Sequence, residues 1–239
     1  MNSRLSKDHW LLKTPCAHRG LHNAEIPENS LLAYENACKN GFPIELDVQM
    51  TSDGYIVCFH DDNLKRMTGL DQDIRKTPYS TVKSLKLKSS AEIIPDFSEM
   101  LDFINGRVPL LIEVKAQLVS GIVDKVLDAL KGYKGEYAIQ SFDPRIMNEV
   151  RVKNPEIIRG QLGSGYKNKM GFKVDFALKY LPLNRKVKPD FINYSVAHLP
   201  ISKLKSNGLP VLCWTVRSEE EKLKAQKYAV NYVFENILP

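Results

Sequence analysis

The sequence predicts an α/β fold, a (β/α)8 TIM barrel with a small insertion between about residues 61 and 95, and three observations carry that expectation. Short apolar runs alternate with longer amphipathic stretches, the pattern of a mainly parallel sheet covered by helices. Eight or nine such runs in 239 residues suit a closed barrel better than the alternative, an open doubly wound sheet. Ionisable pairs also close several of the runs, and in (β/α)8 enzymes the carboxyl ends of the strands hold the active site.

Taken in order, the first strand-like run is Thr14–Ala17, followed by an amphipathic stretch at Ser30–Asn40. Pro43–Val48 and Ile56–His60 are the next two strands. The rhythm then breaks between His60 and Pro95, where Thr68-Gly69, Thr77-Pro78 and Ser89-Ser90 are turn-like. A bare loop of that length is unlike a compact domain, so the segment reads as an insertion on the loop side of the barrel. Phe97–Ile104 is helical, Pro109–Val114 a strand, and Leu118–Lys131 the clearest helix. In it Ile122, Val126, Leu127 and Leu130 keep the helical period while Lys125, Asp128 and Lys131 lie off it. The remaining strands are Tyr137–Ser141, Ile157–Leu162, Asp190–Tyr194, Leu209–Thr215 and Tyr232–Glu235, with helices at Pro144–Lys153 and Ser218–Tyr228. Length suits one domain spanning 1–239.

Composition (43% hydrophobic, 26% charged) is that of a soluble globular protein. The net charge of +6 is spread: Asp62 to Lys88 holds seven basic and three acidic side chains, Lys167 to Asp190 seven and two. These read as solvated lysines whose mild positive potential favours an anionic substrate. Basic residues are not interleaved with stacking aromatics, which argues against nucleic acid as a partner. Cys16, Cys38, Cys58 and Cys213 lack metal-ligand spacing and read as free thiols in a reducing compartment. No apolar run reaches membrane-spanning length, and Met1 to Thr14 lacks a signal-peptide core, so the expectation is a cytoplasmic protein without stable membrane insertion.

Glu45-Leu46-Asp47 carries the first chemistry. On a strand, residues i and i+2 share a face, so both carboxylates point one way and repel unless a cation lies between them. At a strand's carboxyl end they make a natural site for a hard cation. Glu113 and Lys115 repeat the arrangement, a costly ionisable pair on an apolar strand. His18, after Pro15-Cys16-Ala17, and His60, at the end of Tyr55–Phe59, occupy comparable strand-end positions. Two histidines among three carboxylates read as an acid/base pair, because an unperturbed pKa of about 6.5 lets one ring give a proton while another takes one. Arg19 offers a donor fork matched to phosphate, and Gly20 permits a close turn. His22 reads as a bystander, and His9 and His198 as surface residues.

At this density of features the chain resembles the glycerophosphodiester phosphodiesterase family. The matching stretches are His18-Arg19-Gly20, Pro27-Glu28-Asn29-Ser30, Glu45-Leu46-Asp47-Val48, Thr51-x-Asp53-Gly54 and His60-Asp61. Further matches are Arg66-Met67-Thr68-Gly69, Ile94-Pro95 leading to Glu99-Met100-Leu101, Ile112-Glu113-Val114-Lys115, Gln140-Ser141-Phe142-Asp143 and Trp214-Thr215-Val216. The resemblance implies a barrel enzyme that hydrolyses glycerophosphodiesters such as glycerophosphocholine or glycerophosphoethanolamine. By similarity Glu45, Asp47 and Glu113 would bind one divalent cation, Mg2+ or Ca2+, and His18 and His60 would be the catalytic acid/base pair. Arg19 and Lys115 would hold phosphate oxygens, and Phe142 and Trp214 would line the glycerol or head-group end. The expected partner is a small-molecule glycerophosphodiester, and the expected state a monomer or homodimer. Two alternatives are a related barrel acting on lysophospholipid or phosphoinositide, and a non-catalytic anion-binding barrel; the second expects site residues to be lost, and none is.

Overall fold

Side-chain alternation on two neighbouring strands sets the frame of the molecule. In the computed structural model, which describes residues 3–117, 121–165, 176 and 179–239, the chain divides into two compact units: residues 17–136, and residues up to 16 with 137–239. In the first unit β1 (Cys16–His18), β2 (Ile44–Met50) and β4 (Leu110–Val114) run parallel, with β2 in the middle. β2 and β4 are buried along their whole length, as parallel strands covered on both faces should be. Helices α1 (Leu31–Lys39) and α4 (Phe97–Ile104) connect them, each started by a side-chain cap. Ser30 Oγ accepts from the Ala33 N–H at 3.2 Å, and Asp96 accepts from Ser98 and Glu99, satisfying N–H groups that the first helical turn leaves unpaired. The helix expected over Leu118–Lys131 is α5 (Ile122–Ala129); its expected first residues, Leu118 to Ser120, lie outside the described residues.

One expectation is corrected here. Ile56–His60 is not a strand of the parallel set: β3 (Ile56–Cys58) runs antiparallel to β2, with Val48 opposite Cys58 and Met50 opposite Ile56. The turn between them explains the reversal. Thr51 Oγ1 donates to Asp53 at 2.7 Å, and Gly54 takes a left-handed φ of +86° that side chains resist. His60 is therefore carried back along β2 by a hairpin and does not end a barrel strand.

The insertion has the predicted place and a core of its own. It contains α2 (Lys65–Thr68), a 3-10 turn at Ile74–Lys76 and α3 (Tyr79–Ser84). Leu64, Met67, Ile74, Val82, Leu87 and Ile94 pack with Val57 and Phe59 of the hairpin, all buried. At about 25 cal/mol per Å² of apolar surface removed from water, such a cluster anchors a segment that has little regular structure.

In the second unit β5 (Tyr137–Ser141), β6 (Ile158–Gly163), β7 (Phe191–Ser195), β8 (Val211–Val216) and β9 (Asn231–Phe234) pair in parallel sequence. Helices α6 (Pro144–Lys153), α7 (Asn184–Val187), α8 (Lys203–Ser206) and α9 (Glu219–Tyr228) lie between them in the chain. Asp143 and Ser218 cap α6 and α9, and Pro144 occupies the first turn of α6, where its missing N–H costs nothing. Among the described residues, eight parallel strands separated by helices, with β3 as an added antiparallel strand, give the (β/α)8 barrel class that the sequence predicts. Among the described residues no helix is long and apolar enough to cross a membrane. Cys16, Cys58 and Cys213 are buried and Cys38 half-buried, and all four are free thiols.

Candidate active site

Sheet register builds the site. In the parallel pairing of β1 with β2, His18 lies opposite Glu45; in that of β2 with β4, Asp47 lies opposite Glu113. Because i and i+2 share a face, four candidate side chains are brought together on three adjacent strands. The carboxylates of Glu45, Asp47 and Glu113 each offer an oxygen within 4.8 Å of the others, and all three residues are buried. Lys115 Nζ reaches Glu113 at 2.8 Å and Asp47 at 3.4 Å. The Arg19 N–H donates to Glu45 Oε2 at 3.2 Å, and Arg19 Nε lies 3.3 Å from Asp47.

Electrostatics within this triad are uneven. Burial, then the Asp47 and Glu113 charges, push the Glu45 carboxyl well above the usual range, with Arg19 only partly opposing them. Asp47 is equally buried, yet Lys115, His60, Arg19 and His18 hold it well below the usual aspartate range. Lys115 is kept above the ordinary lysine range by Glu113 and Asp47 against the effect of its own burial. With all three carboxylates ionised, as cation ligands are, Arg19 and Lys115 would leave one negative charge in excess, and Arg19 is shared with Glu28. An all-oxygen donor set with surplus negative charge fits a hard divalent cation.

Arg19 and its neighbours are placed by unusual backbone. Arg19 and Asn29 adopt left-handed φ of 54° and 52°, and Gly20 one of +81°. A Cβ at Gly20 would come within 2.9 Å of Ala33, so the turn after His18 needs glycine both for its φ and for its contact with α1.

Residues 18–236 match the sequence model of the Glycerophosphoryl diester phosphodiesterase family. The chain belongs to that family. As a member it is a hydrolase, a glycerophosphodiester phosphodiesterase. It is 28% identical over 230 residues to the glycerophosphodiester phosphodiesterase of Caldanaerobacter subterraneus, covering 90% of each chain. Among solved structures it is similar to a phosphodiesterase of Oleispira antarctica in complex with the product sn-glycerol-3-phosphate. The TM-score is 0.77 at 25% identity, with 92% of each chain covered. The glycerophosphodiester phosphodiesterase of Thermotoga maritima shares the fold with a TM-score of 0.70 at 22% identity, covering 92% of this chain and 94% of that one.

Of the nine residues singled out from sequence, His18, Arg19, Glu45, Asp47, His60, Glu113 and Lys115 all lie in the 17–136 unit. His18 is buried, whereas the His60 side chain is one-third exposed. Phe142 and Trp214 belong to the other unit, where their rings meet edge to face with centroids 5.4 Å apart. His22 carries a ring nitrogen within 4.8 Å of one of His18. His9 and His198 are not plain surface residues: both are half-buried. His9 Nδ1 accepts from the Leu11 N–H at 3.2 Å, and His198 Nδ1 lies 3.3 Å from Ser195 Oγ.

Several residues of the site carry no role in the sequence reading. Asn29 donates to Asp47 Oδ2 at 3.0 Å while its oxygen accepts from the Tyr34 hydroxyl at 3.0 Å. Gln49 donates to the carbonyls of Phe59 and Asp61 at 3.2 and 2.8 Å, gripping the backbone on both sides of His60. Gln117 donates in turn to the Gln49 oxygen at 3.2 Å. The available signals were the Glu28-Asn29 pair inside a matched motif and Gln49 at the next same-face position after Asp47.

Proposed function

We propose that this chain hydrolyses glycerophosphodiesters, such as glycerophosphocholine or glycerophosphoethanolamine, to sn-glycerol 3-phosphate and an alcohol. The observation that carries the reading is the buried, overcharged carboxylate triad set beside two histidines, in a chain whose relative from Oleispira antarctica is described with that product bound. Glu45, Asp47 and Glu113 would hold one divalent cation, Mg2+ or Ca2+. Bound there, it would supply positive charge for the phosphoryl oxygens.

The chain's own residues supply the rest. Arg19 and Lys115 neutralise charge that develops on phosphate oxygens in the transition state. His18 and His60 act as the acid/base pair: one takes the proton of the attacking hydroxyl, and the other returns a proton to the departing alcohol oxygen. With Asp61 at 2.7 Å from His60 Nδ1, Nε2 of that ring is left for proton transfer. We favour the substrate's own glycerol 2-hydroxyl over water as the first attacker, since positioning within one molecule lowers the entropic cost. Its oxygen bonds phosphorus as the alcohol leaves. Water then attacks the resulting cyclic phosphate, breaking the bond to the 2-oxygen with the two histidines in exchanged roles and giving glycerol 3-phosphate. Phe142 and Trp214 would contact the glycerol or head-group end. The chain acts as one barrel domain, monomer or homodimer, in the cytoplasm on a small soluble substrate. The four free thiols are consistent with such a reducing compartment.

The test is release of glycerol 3-phosphate from both substrates with Mg2+ or Ca2+ and with EDTA, followed by phosphorus NMR. EDTA-sensitive release with a transient cyclic phosphate is expected, as is loss of turnover in folded His18→Ala and His60→Ala. Absence of EDTA-sensitive release from any glycerophosphodiester would overturn the assignment, and absence of a cyclic species would return the attack to water.

A further inference from the structure

One side chain of the insertion joins two acidic groups at the edge of the candidate site. Arg66, on α2, uses Nε and one amino group on Asp61, at 2.5 and 3.1 Å. With both amino groups it also grips Glu28, at 2.8 and 2.7 Å. Beyond Asp61 lies His60, whose Nδ1 is 2.7 Å from Asp61 Oδ1. Beyond Glu28 lies Arg19, whose Nη1 donates to Glu28 Oε1 at 2.5 Å. One guanidinium thus stands between the carboxylate that orients His60 and the carboxylate that orients Arg19. Its planar fork suits two bidentate carboxylates at once, a geometry that the point charge of lysine cannot reproduce.

We propose that Arg66 is a positioning residue of this enzyme, a hub on the insertion that holds the His60 imidazole through Asp61 and the Arg19 guanidinium through Glu28. The inference rests on the proposed roles of His60 and Arg19. Arg66 itself is nearly half exposed, while the groups it aligns are more buried. The His60 backbone is fixed independently by Gln49, which bonds the carbonyls of Phe59 and Asp61. Removing Arg66 should therefore loosen the imidazole and the guanidinium while leaving the hairpin in place. The arrangement also gives the insertion a function, since its cluster of buried apolar residues fixes α2, and α2 fixes the hub.

Three variants separate the branches, using the full-length protein with Mg2+. The His60 branch is read by the ring-nitrogen NMR signals of 15N-histidine-labelled protein, and the Arg19 branch by titration with inorganic phosphate. Asp61→Asn should change the His60 signals from one Nδ1–H tautomer to a mixture and leave phosphate affinity within twofold. Glu28→Gln should weaken phosphate binding roughly fivefold or more and leave the His60 signals in place. Arg66→Ala should do both, lower kcat/KM on glycerophosphocholine by 10- to 100-fold, and recover in part with added ethylguanidinium; Arg66→Lys should recover less. An Arg66→Ala protein that alters neither readout, or only one, would overturn the hub. If that variant does not fold, Glu28→Gln disturbing the His60 signals would overturn the separation into branches just as well. Wild-type protein without phosphodiesterase activity would sink the function reading, yet both physical readouts would still report on Arg66.

Discussion

Replacing Glu45 with glutamine removes one charge from the triad and almost no volume, and its effect on stability should change sign with the cation. Each pair of triad oxygens lies within 4.8 Å. At an effective dielectric of about 20, two like unit charges at that distance repel by roughly 3.5 kcal/mol. Glu45 meets two such charges, and the Arg19 charge and its N–H at 3.2 Å offset part of this. Glutamine keeps an oxygen to accept from that N–H. Cation-free Glu45→Gln protein should therefore be more stable than cation-free wild type by about 1–3 kcal/mol, or about 2–4 °C in Tm per kcal/mol for a chain of this size. The wild type should gain about 4.1 kcal/mol when the cation stands at about 1,000 times its Kd, and the variant should gain little. Thermal unfolding of both proteins in EDTA, Mg2+ and Ca2+ gives three Tm differences between variant and wild type. A crossing is expected, with the variant ahead in EDTA and the wild type ahead with a cation. A variant less stable than wild type in EDTA, or one that retains the full cation shift, would refute the argument that the three buried carboxylates are held against repulsion for a cation's sake.

Two further outcomes follow from the same geometry. Burial pushes the Glu28 carboxyl up, but Arg66 and Arg19 prevail and lower it from 4.5 to about 2. A folded-state pKa below the unfolded one contributes stability that is fully present above pH about 4.5 and is lost as pH falls toward about 2, on the order of 3 kcal/mol. The difference in urea midpoint between wild type and Glu28→Gln should therefore be largest near pH 6 and shrink as the pH is lowered through 4 to 3; a constant difference would contradict it. Asn29→Ala loses the hydrogen bond to Asp47, leaves the buried Tyr34 hydroxyl without its acceptor, and puts at φ 52° a residue that tolerates the left-handed region less well than asparagine, a combined cost of about 2–4 kcal/mol. Asn29→Gly, which tolerates the φ, should cost less by urea denaturation.

Much of the site is written in residue type and local spacing. Glu45 with Asp47, and Glu113 with Lys115, share strand faces by alternation alone, and carboxylates so close together repel unless a cation or another positive charge lies beside them. The gap between His60 and Pro95 likewise announced an insertion, since a bare loop of that length does not suit a compact domain. His60 was harder. Its apolar run reads equally well as a parallel strand, because a short apolar run does not encode its own direction. The turn at Thr51 to Gly54 reverses it, and the Phe59 N–H then bonds the Asp47 carbonyl at 3.0 Å. Arg66 was legible only as part of a motif, because its partners Glu28 and Asp61 lie 38 and 5 residues away and nothing in its own neighbourhood names them.

By itself, then, the sequence determined the barrel class, the pairing of carboxylates on each strand and the chemistry those residue types permit, because periodicity and charge are local properties of a chain. Only the tertiary structure decided that His18 stands opposite Glu45 and Asp47 opposite Glu113, that a hairpin returns His60 along β2, and that Asn29 bonds Asp47, Gln49 the backbone around His60, and Arg66 both Glu28 and Asp61. Strand register and insertion packing are set by the burial of apolar faces contributed from distant segments, such as Met67, Ile74 and Val82 against Val57 and Phe59. No stretch of sequence contains that information alone.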